Sequence, residues 1–222
     1  MKLTWLGHSA CILEGGGSTI LIDPFLTGNP QATVKADDVN ADYIVLTHGH
    51  ADHYGDTTEI AKRTGATVIG NFEVVTYAQN QGIENAHPMH IGGGYNFPFG
   101  RLKLTIAHHG SSMPDGSYGG NPAGLLFTIG GKTLYHAGDT GLFYDMKLIG
   151  EAGIDLAILP IGDNFTMGPD DSLRAIEFLQ PKKVVPVHYN TWGFIEVDVN
   201  DWASRVTGAE ACVMEVGGTI EI

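Results

Sequence analysis

The chain has 222 residues, 43% of them hydrophobic and 17% charged, which suits one large or two small globular domains and excludes a disordered polymer. Twelve Lys and Arg against 25 Asp and Glu leave a formal net charge of −13. Such a surface repels phosphate backbones and anionic lipid heads, which argues against nucleic acid and membranes as partners.

No apolar run approaches the ~18 residues of a membrane span. Met1-Lys2-Leu3-Thr4-Trp5 enters a strand at once, without a cleavable apolar leader, so a cytoplasmic location is expected. The two cysteines, Cys11 and Cys212, lie far apart in apolar segments and read as buried free thiols.

In chain order, Leu3 to Trp5 and Ala10 to Glu14 read as strands joined at Gly7-His8-Ser9. Glu14-Gly15-Gly16-Gly17-Ser18 is a hairpin turn, and Thr19 to Ile22 returns to end at Asp23-Pro24-Phe25. Residues 27–41 read as a polar loop. Tyr43-Ile44-Val45-Leu46 is a buried strand, followed by a ligand-rich turn and a helix over 57–64. A short strand over 67–69 and a helix over 72–81, stopped by Gly82, come next.

His87 to Gly94 reads as turn-rich. Antiparallel strands are expected over 95–99, 102–107, 125–129 and 133–136, with Gly130-Gly131 turning the last pair. The Gly- and Pro-containing residues 111–126 read mostly as a mobile loop near a site. Helices are expected over 143–151, 170–179 (with Pro169 at its start) and 201–206. Strands are expected over 156–159, 184–187, 211–215 and 219–222. The two halves share this order, and two mixed β-sheets packed face to face with helices outside satisfy it as one α/β domain over 1–222.

The stretch Thr47-His48-Gly49-His50-Ala51-Asp52-His53 organises the chain. His48 and His50 are two apart, so on extended backbone they leave the same face; Asp52 continues the alternation and His53 swings away. Imidazole and carboxylate suit zinc and its first-row neighbours. Four such side chains within six residues, behind a buried strand, favour a metal site over an ordinary polar loop.

Three later strand ends carry further candidates: Ala107-His108-His109-Gly110, His136-Ala137-Gly138-Asp139-Thr140 and Val187-His188-Tyr189-Asn190. Ends of sheet strands are where ligands gather in layered α/β folds.

Taken together, these stretches resemble the metallo-β-lactamase superfamily. His48, His50, Asp52 and His53 match its His-x-His-x-Asp-His run, Asp139 its bridging aspartate and His188 its last strand-end histidine. Trp5-Leu6-Gly7-His8-Ser9 and Pro160-Ile161-Gly162-Asp163-Asn164-Phe165-Thr166-Met167-Gly168 add to the likeness, which is closest to small single-domain metal-dependent hydrolases.

The resemblance implies a four-layer αβ/βα sandwich with two metal positions at one edge. His48, His50 and a mid-chain histidine would hold the first, Asp52, His53 and His188 the second, and Asp139 would bridge them. His109 is preferred to its neighbour His108 because it lies nearer the loop. Asp23 matches an aspartate that orients metal ligands. His8 and His136 support the ligands, contact substrate or are structural, His87 and His90 are loop histidines, and Asn164, Thr166 and Asn190 are candidate substrate contacts.

The implied chemistry is hydrolysis of a small ester, lactone or phosphodiester by a hydroxide activated between two divalent ions, with Asp52 or Asp139 steering the proton. Zinc is the expected metal, with manganese, nickel and iron suited to the same ligands. No Gly-x-Ser-x-Gly elbow supplies a rival nucleophile. The expected partner is a small anionic substrate. A homo-oligomer is compatible with the chain, which carries no interface signature. The alternatives are a nuclease of the same superfamily and a non-catalytic metal- or ligand-binding module.

Overall fold

The computed structural model describes residues 1–222. Six strands of the first half enter one sheet: β1 (Lys2–Gly7), β2 (Ala10–Gly15), β3 (Ser18–Ile22), β4 (Tyr43–Val45), β5 (Thr67–Asn71) and β6 (Ala86–Met89). The next seven build a second: β7 (Gly94–Phe97), β8 (Gly100–Ile106), β9 (Ala123–Ile129), β10 (Lys132–His136), β11 (Leu156–Pro160), β12 (Lys183–Val187) and β13 (Glu210–Ala211). The last strand, β14 (Thr219–Glu221), crosses back and pairs with β1, giving orders β14-β1-β2-β3-β4-β5-β6 and β13-β12-β11-β10-β9-β8-β7.

Both sheets are mixed in the same sense. β1–β3 and β7–β10 are antiparallel meanders, whereas β3–β6 and β10–β13 are parallel. Pairwise antiparallel steps make β1 run with β3, and β8 with β10. The C-terminal ends of β1, β3, β4 and β5 therefore share one edge with those of β8, β10, β11 and β12, and that shared edge carries the site.

Side-chain alternation builds the layers. In β3, Ile20 and Ile22 face the core between the sheets with Leu3, Trp5 and Leu13, against Leu104, Leu125 and Phe127 of the second sheet. Leu21 points the other way, into a second cluster with Ile44, Leu46 and Val68. The helices α2 (Thr57–Thr64) and α3 (Phe72–Asn80) cover that face with Ile60, Ala61, Val74 and Ala78.

Over the second sheet, α5 (Pro169–Leu179) buries Ala175, Ile176 and Leu179. The Trp202 indole N–H of α6 (Val199–Arg205) donates to Ser172 at 2.8 Å, locking the last helix onto α5. The result is an α/β sandwich of two mixed sheets flanked by helices.

Three sequence expectations are corrected. His87 lies in β6, a paired edge strand rather than a turn; Pro88 is tolerated there because an edge strand need not donate on both sides. The helix expected over 143–151 is only Met146–Gly150 (α4). The loop after β8 is pinned rather than loose: the Asn71 amide donates to Gly119 and Asn121 carbonyls at 2.8 and 2.9 Å, Ser111 Oγ accepts from Gly49 N–H, and Met113 is buried. Both cysteines are free thiols, Cys11 buried and Cys212 half-buried.

Candidate metal centre

The turn after β4 places the first ligand-type residues, by a route other than simple strand alternation. The strand stops at Val45, and a four-residue helix, α1 (Ala51–Tyr54), begins two residues after Gly49. His48 and His50 sit on the extended entry, with His48 Nε2 2.9 Å from His50 Nδ1. Asp52 and His53 sit on the first helical turn, so helical rotation aims them. Gly55, closing α1, packs its α-carbon face against Pro24 and Phe25, where a Cβ would lie 2.3 Å from the Pro24 carbonyl oxygen.

Asp23, at the end of β3, sets the tautomers. Its fully buried carboxylate accepts the Thr47 backbone N–H at 2.8 Å, the Thr47 hydroxyl at 2.6 Å and His53 Nδ1–H at 2.8 Å. The Thr47 hydroxyl, having donated, accepts from His48 Nδ1–H at 3.0 Å. Both imidazoles thereby aim Nε2 inward, where a cation would take the lone pair in place of a proton.

The second sheet supplies the rest. Asp139 Oδ2 lies 3.3 Å from His53 Nε2, 3.4 Å from His109 Nε2 and 3.1 Å from His188 Nε2. Asp52 Oδ2 lies 3.8 Å from both His53 Nε2 and His188 Nε2. His109 is thus among the cluster, whereas His108 is exposed and stacks on Phe143 at 5.0 Å. Three overlapping groups result, each with ligand atoms within 4.8 Å of one another: His48, His50, His109; His48, His53, Asp139; and His8, Asp52, His53, His188.

Sequence reasoning left His8 open, and it proves to belong to the cluster. The end of β1 puts it, fully buried and at a left-handed φ of 51°, beside Asp52. Its Nε2–H donates to Asp52 Oδ2 at 3.2 Å, and its Nδ1 accepts from the Thr191 hydroxyl at 2.7 Å. His136 is structural: Nδ1 accepts Gly138 N–H at 3.0 Å, shaping the turn that presents Asp139. Asn190 pins its own loop through both Val197 backbone groups, and Asn164 and Thr166 do not line the cleft. The intervening Phe165 does.

The electrostatics call for positive charge inside. Burial pushes the His48, His50 and His109 imidazoles down, and His8 down to about 4. Burial likewise opposes charge on His53 and His188, but Asp139 with Asp23 and Asp52 outweighs it for His53, and Asp139 with Asp52 for His188. His53 is raised well above its ordinary value and His188 to about 9. Burial opposes ionisation of Asp139 and Asp52, yet the facing histidines hold both below the usual carboxylate range.

His53 Nε2 and Asp139 Oδ1 are buried without a hydrogen-bond partner, which is costly in a neutral protein core and natural for cation ligands. The donor set, its inward lone pairs and these orphaned atoms fit divalent metal.

The profile described as a β-lactamase superfamily domain matches residues 18–189. The chain belongs to the metallo-β-lactamase superfamily. A metal-dependent hydrolase of Shouchella clausii is 55% identical, with all of both chains covered. The solved structure of Igni18, a metallo hydrolase from the hyperthermophilic archaeon Ignicoccus hospitalis, is 38% identical at a TM-score of 0.90, covering 100% of this chain and 98% of that one. An isothiocyanate hydrolase from Delia radicum gut bacteria shares the fold at 21% identity and a TM-score of 0.78, covering 100% and 99%. Within the superfamily, the chain falls among the metal-dependent hydrolases.

Proposed function

We propose that the chain hydrolyses a small organic substrate with two divalent ions held at this edge. His48, His50 and His109 would hold the first, Asp52, His53 and His188 the second, and Asp139 would stand between them. The observation that carries this reading is the convergence of these seven side chains and His8 from five separate strand ends, with His53 Nε2 and Asp139 Oδ1 lacking a hydrogen-bond partner. Bound metal supplies an activated water at neutral pH and polarises the scissile group. Zinc suits this nitrogen-rich set.

The chain's own residues do the remaining work. Asp52, 28% exposed, lines the cleft above the cluster and is the carboxylate placed to accept or steer a proton of the attacking water. His8 holds Asp52 in place from behind, through one N–H that leaves the other carboxylate oxygen free of it. Asp23 keeps His53 and, through Thr47, His48 in the ligating tautomer.

Elemental analysis of metal-loaded, desalted protein tests the site. Two ions per chain are expected. A value near zero removes the assignment, and a value of one removes the bridge.

A second measurement separates the adjacent histidines. His109→Ala is expected to lose at least one ion and to reduce hydrolysis by about 10²-fold or more, while His108→Ala keeps both ions and loses only a ring stack on Phe143. The reverse ranking would transfer the ligand role to His108.

A further inference from the structure

The walls of the cleft restrict what reaches the cluster. The cleft measures about 770 Å³. Phe25, Phe165, Trp192 and Pro114 supply its apolar surface, and Asp56 and Glu59 add carboxylates beside the ligand residues. No Lys or Arg lines it. Buried or half-buried anions need a charged or hydrogen-bonding partner, and phosphate recognition in particular draws on Arg or Lys. Two dications would supply positive charge, but Asp23, Asp52 and Asp139 within the cluster offset most of it.

The aromatic part of this surface comes from separate loops. Phe25 and Trp192 meet edge to face at 6.4 Å and both lean on His8, at 5.7 and 4.9 Å. Asp56 fixes this corner by accepting the Leu26 and Thr27 backbone N–H groups at 2.9 and 2.8 Å. Phe165, from the loop after β11, also lines the cleft and stands 50% exposed. It follows Asp163 and Asn164, both at left-handed φ of 62° and 53°, a strained turn that holds an aromatic ring out in water.

The tryptophans differ in the same sense. Trp5 and Trp202 are buried with their indole N–H groups bonded inside the protein, while Trp192 faces the cleft.

We infer that the substrate is an uncharged ester or lactone whose aromatic or alkyl group packs between the Phe25–Trp192 corner and Phe165. This rests on the hydrolase reading above, and it replaces the anionic substrate expected from the sequence, for which the walls offer no counter-charge. In the reaction, water adds across the acyl C–O bond. The new bond joins water oxygen to the acyl carbon, the old bond to the leaving oxygen breaks, and the two protons end on the alcohol and the acid, the latter ionising to carboxylate.

The test uses zinc-loaded full-length protein and three chromogenic substrates sharing one leaving group: p-nitrophenyl butyrate, p-nitrophenyl hemisuccinate and bis(p-nitrophenyl) phosphate. The neutral butyrate is expected to exceed both anions in kcat/KM by about tenfold or more. Trp192→Ala should raise KM for butyrate by about tenfold while leaving kcat within about threefold, as removal of an apolar wall does.

A parallel readout needs no turnover. The Trp192 indole N–H signal, assigned by Trp192→Phe, should shift with acetophenone and not with its anionic counterpart benzoate. The inference is overturned if either anionic substrate matches butyrate, if Trp192→Ala leaves KM unchanged, or if benzoate shifts the indole as readily as acetophenone. Binding of acetophenone at Trp192 without hydrolysis of any ester would instead overturn the hydrolase reading and leave the ligand class standing.

Discussion

Asp139→Asn is expected to fold normally and to lose three or more orders of magnitude in hydrolysis. Asp139 is 3% exposed, and its Oδ2 stands within 3.4 Å of His53, His109 and His188. Its Oδ1 has no partner in the protein. One carboxylate therefore faces nitrogens from both proposed metal positions and carries the charge that offsets two dications. Asn keeps the shape but loses the charge and replaces one acceptor with an N–H₂ that repels a cation.

The presentation of Asp139 is also exacting. Gly138 adopts φ of 63°, and a Cβ there would lie 2.8 Å from the Ala123 carbonyl oxygen, so the turn can be made only by glycine. The backbone is thus fixed independently of the side chain, and the substitution should act on the metals rather than on folding. An effect of about 10³-fold or more follows, because positioning of the nucleophile and stabilisation of developing charge depend on the same pair of ions. Metal titration together with single-turnover hydrolysis checks it. If Asp139→Asn binds two ions and turns over at near wild-type rate, the bridge is absent and the dinuclear reading fails.

The ligand run was legible because four ligand-type side chains fall within six residues, a density that a solvated loop does not require. The role of Asp23 in orienting His53 was legible only through the family resemblance, since nothing in Ile22-Asp23-Pro24 itself points at His53. The choice between His108 and His109 was not decidable by strand period, because β8 ends at Ile106 and the alternation no longer applies two residues later.

The same loss of register explains Asp52 and His53, which helix α1 rather than extended chain aims at the cluster. His8 was ambiguous because its partner Thr191 lies 183 residues away. The aromatic walls were missed altogether. Phe25, Phe165 and Trp192 sit singly in polar, turn-rich segments, where an exposed aromatic in a strand-end loop is the one local signal available. The crossing of β14 to β1 joins chain ends that no local pattern relates.

Asp23→Asn is expected to disable the second metal position without unfolding the protein, by reversing a tautomer. The native carboxylate accepts three donors: Thr47 N–H, Thr47 hydroxyl and His53 Nδ1–H. Asn can keep Oδ1 on the Thr47 N–H, but its amide nitrogen then faces Thr47 Oγ1 and His53 Nδ1, where acceptors were needed. The least costly response is for His53 to move its proton to Nε2, so that Nδ1 accepts from the new amide. That N–H then points at Asp139 Oδ2, 3.3 Å away, where a lone pair should meet a cation.

Removal of a residue that orients a metal-ligating histidine costs about 10–100-fold in affinity or activity, and a buried Asp→Asn that fixes the wrong imidazole tautomer can cost about 10⁴. Asp23→Asn should therefore lose at least one of two ions and about 10²–10⁴ in rate, with a melting temperature of the metal-free protein near wild type. Asp23→Ala should do the same and also melt lower, because it leaves three buried donors unsatisfied at about 1–3 kcal/mol each. Long-range ¹H–¹⁵N spectra of the His53 ring report the tautomer directly. An Asp23→Asn protein that keeps Nδ1–H on His53 and binds both ions would show that Thr47 and the surrounding packing orient the ring, and that the Asp23 charge is dispensable.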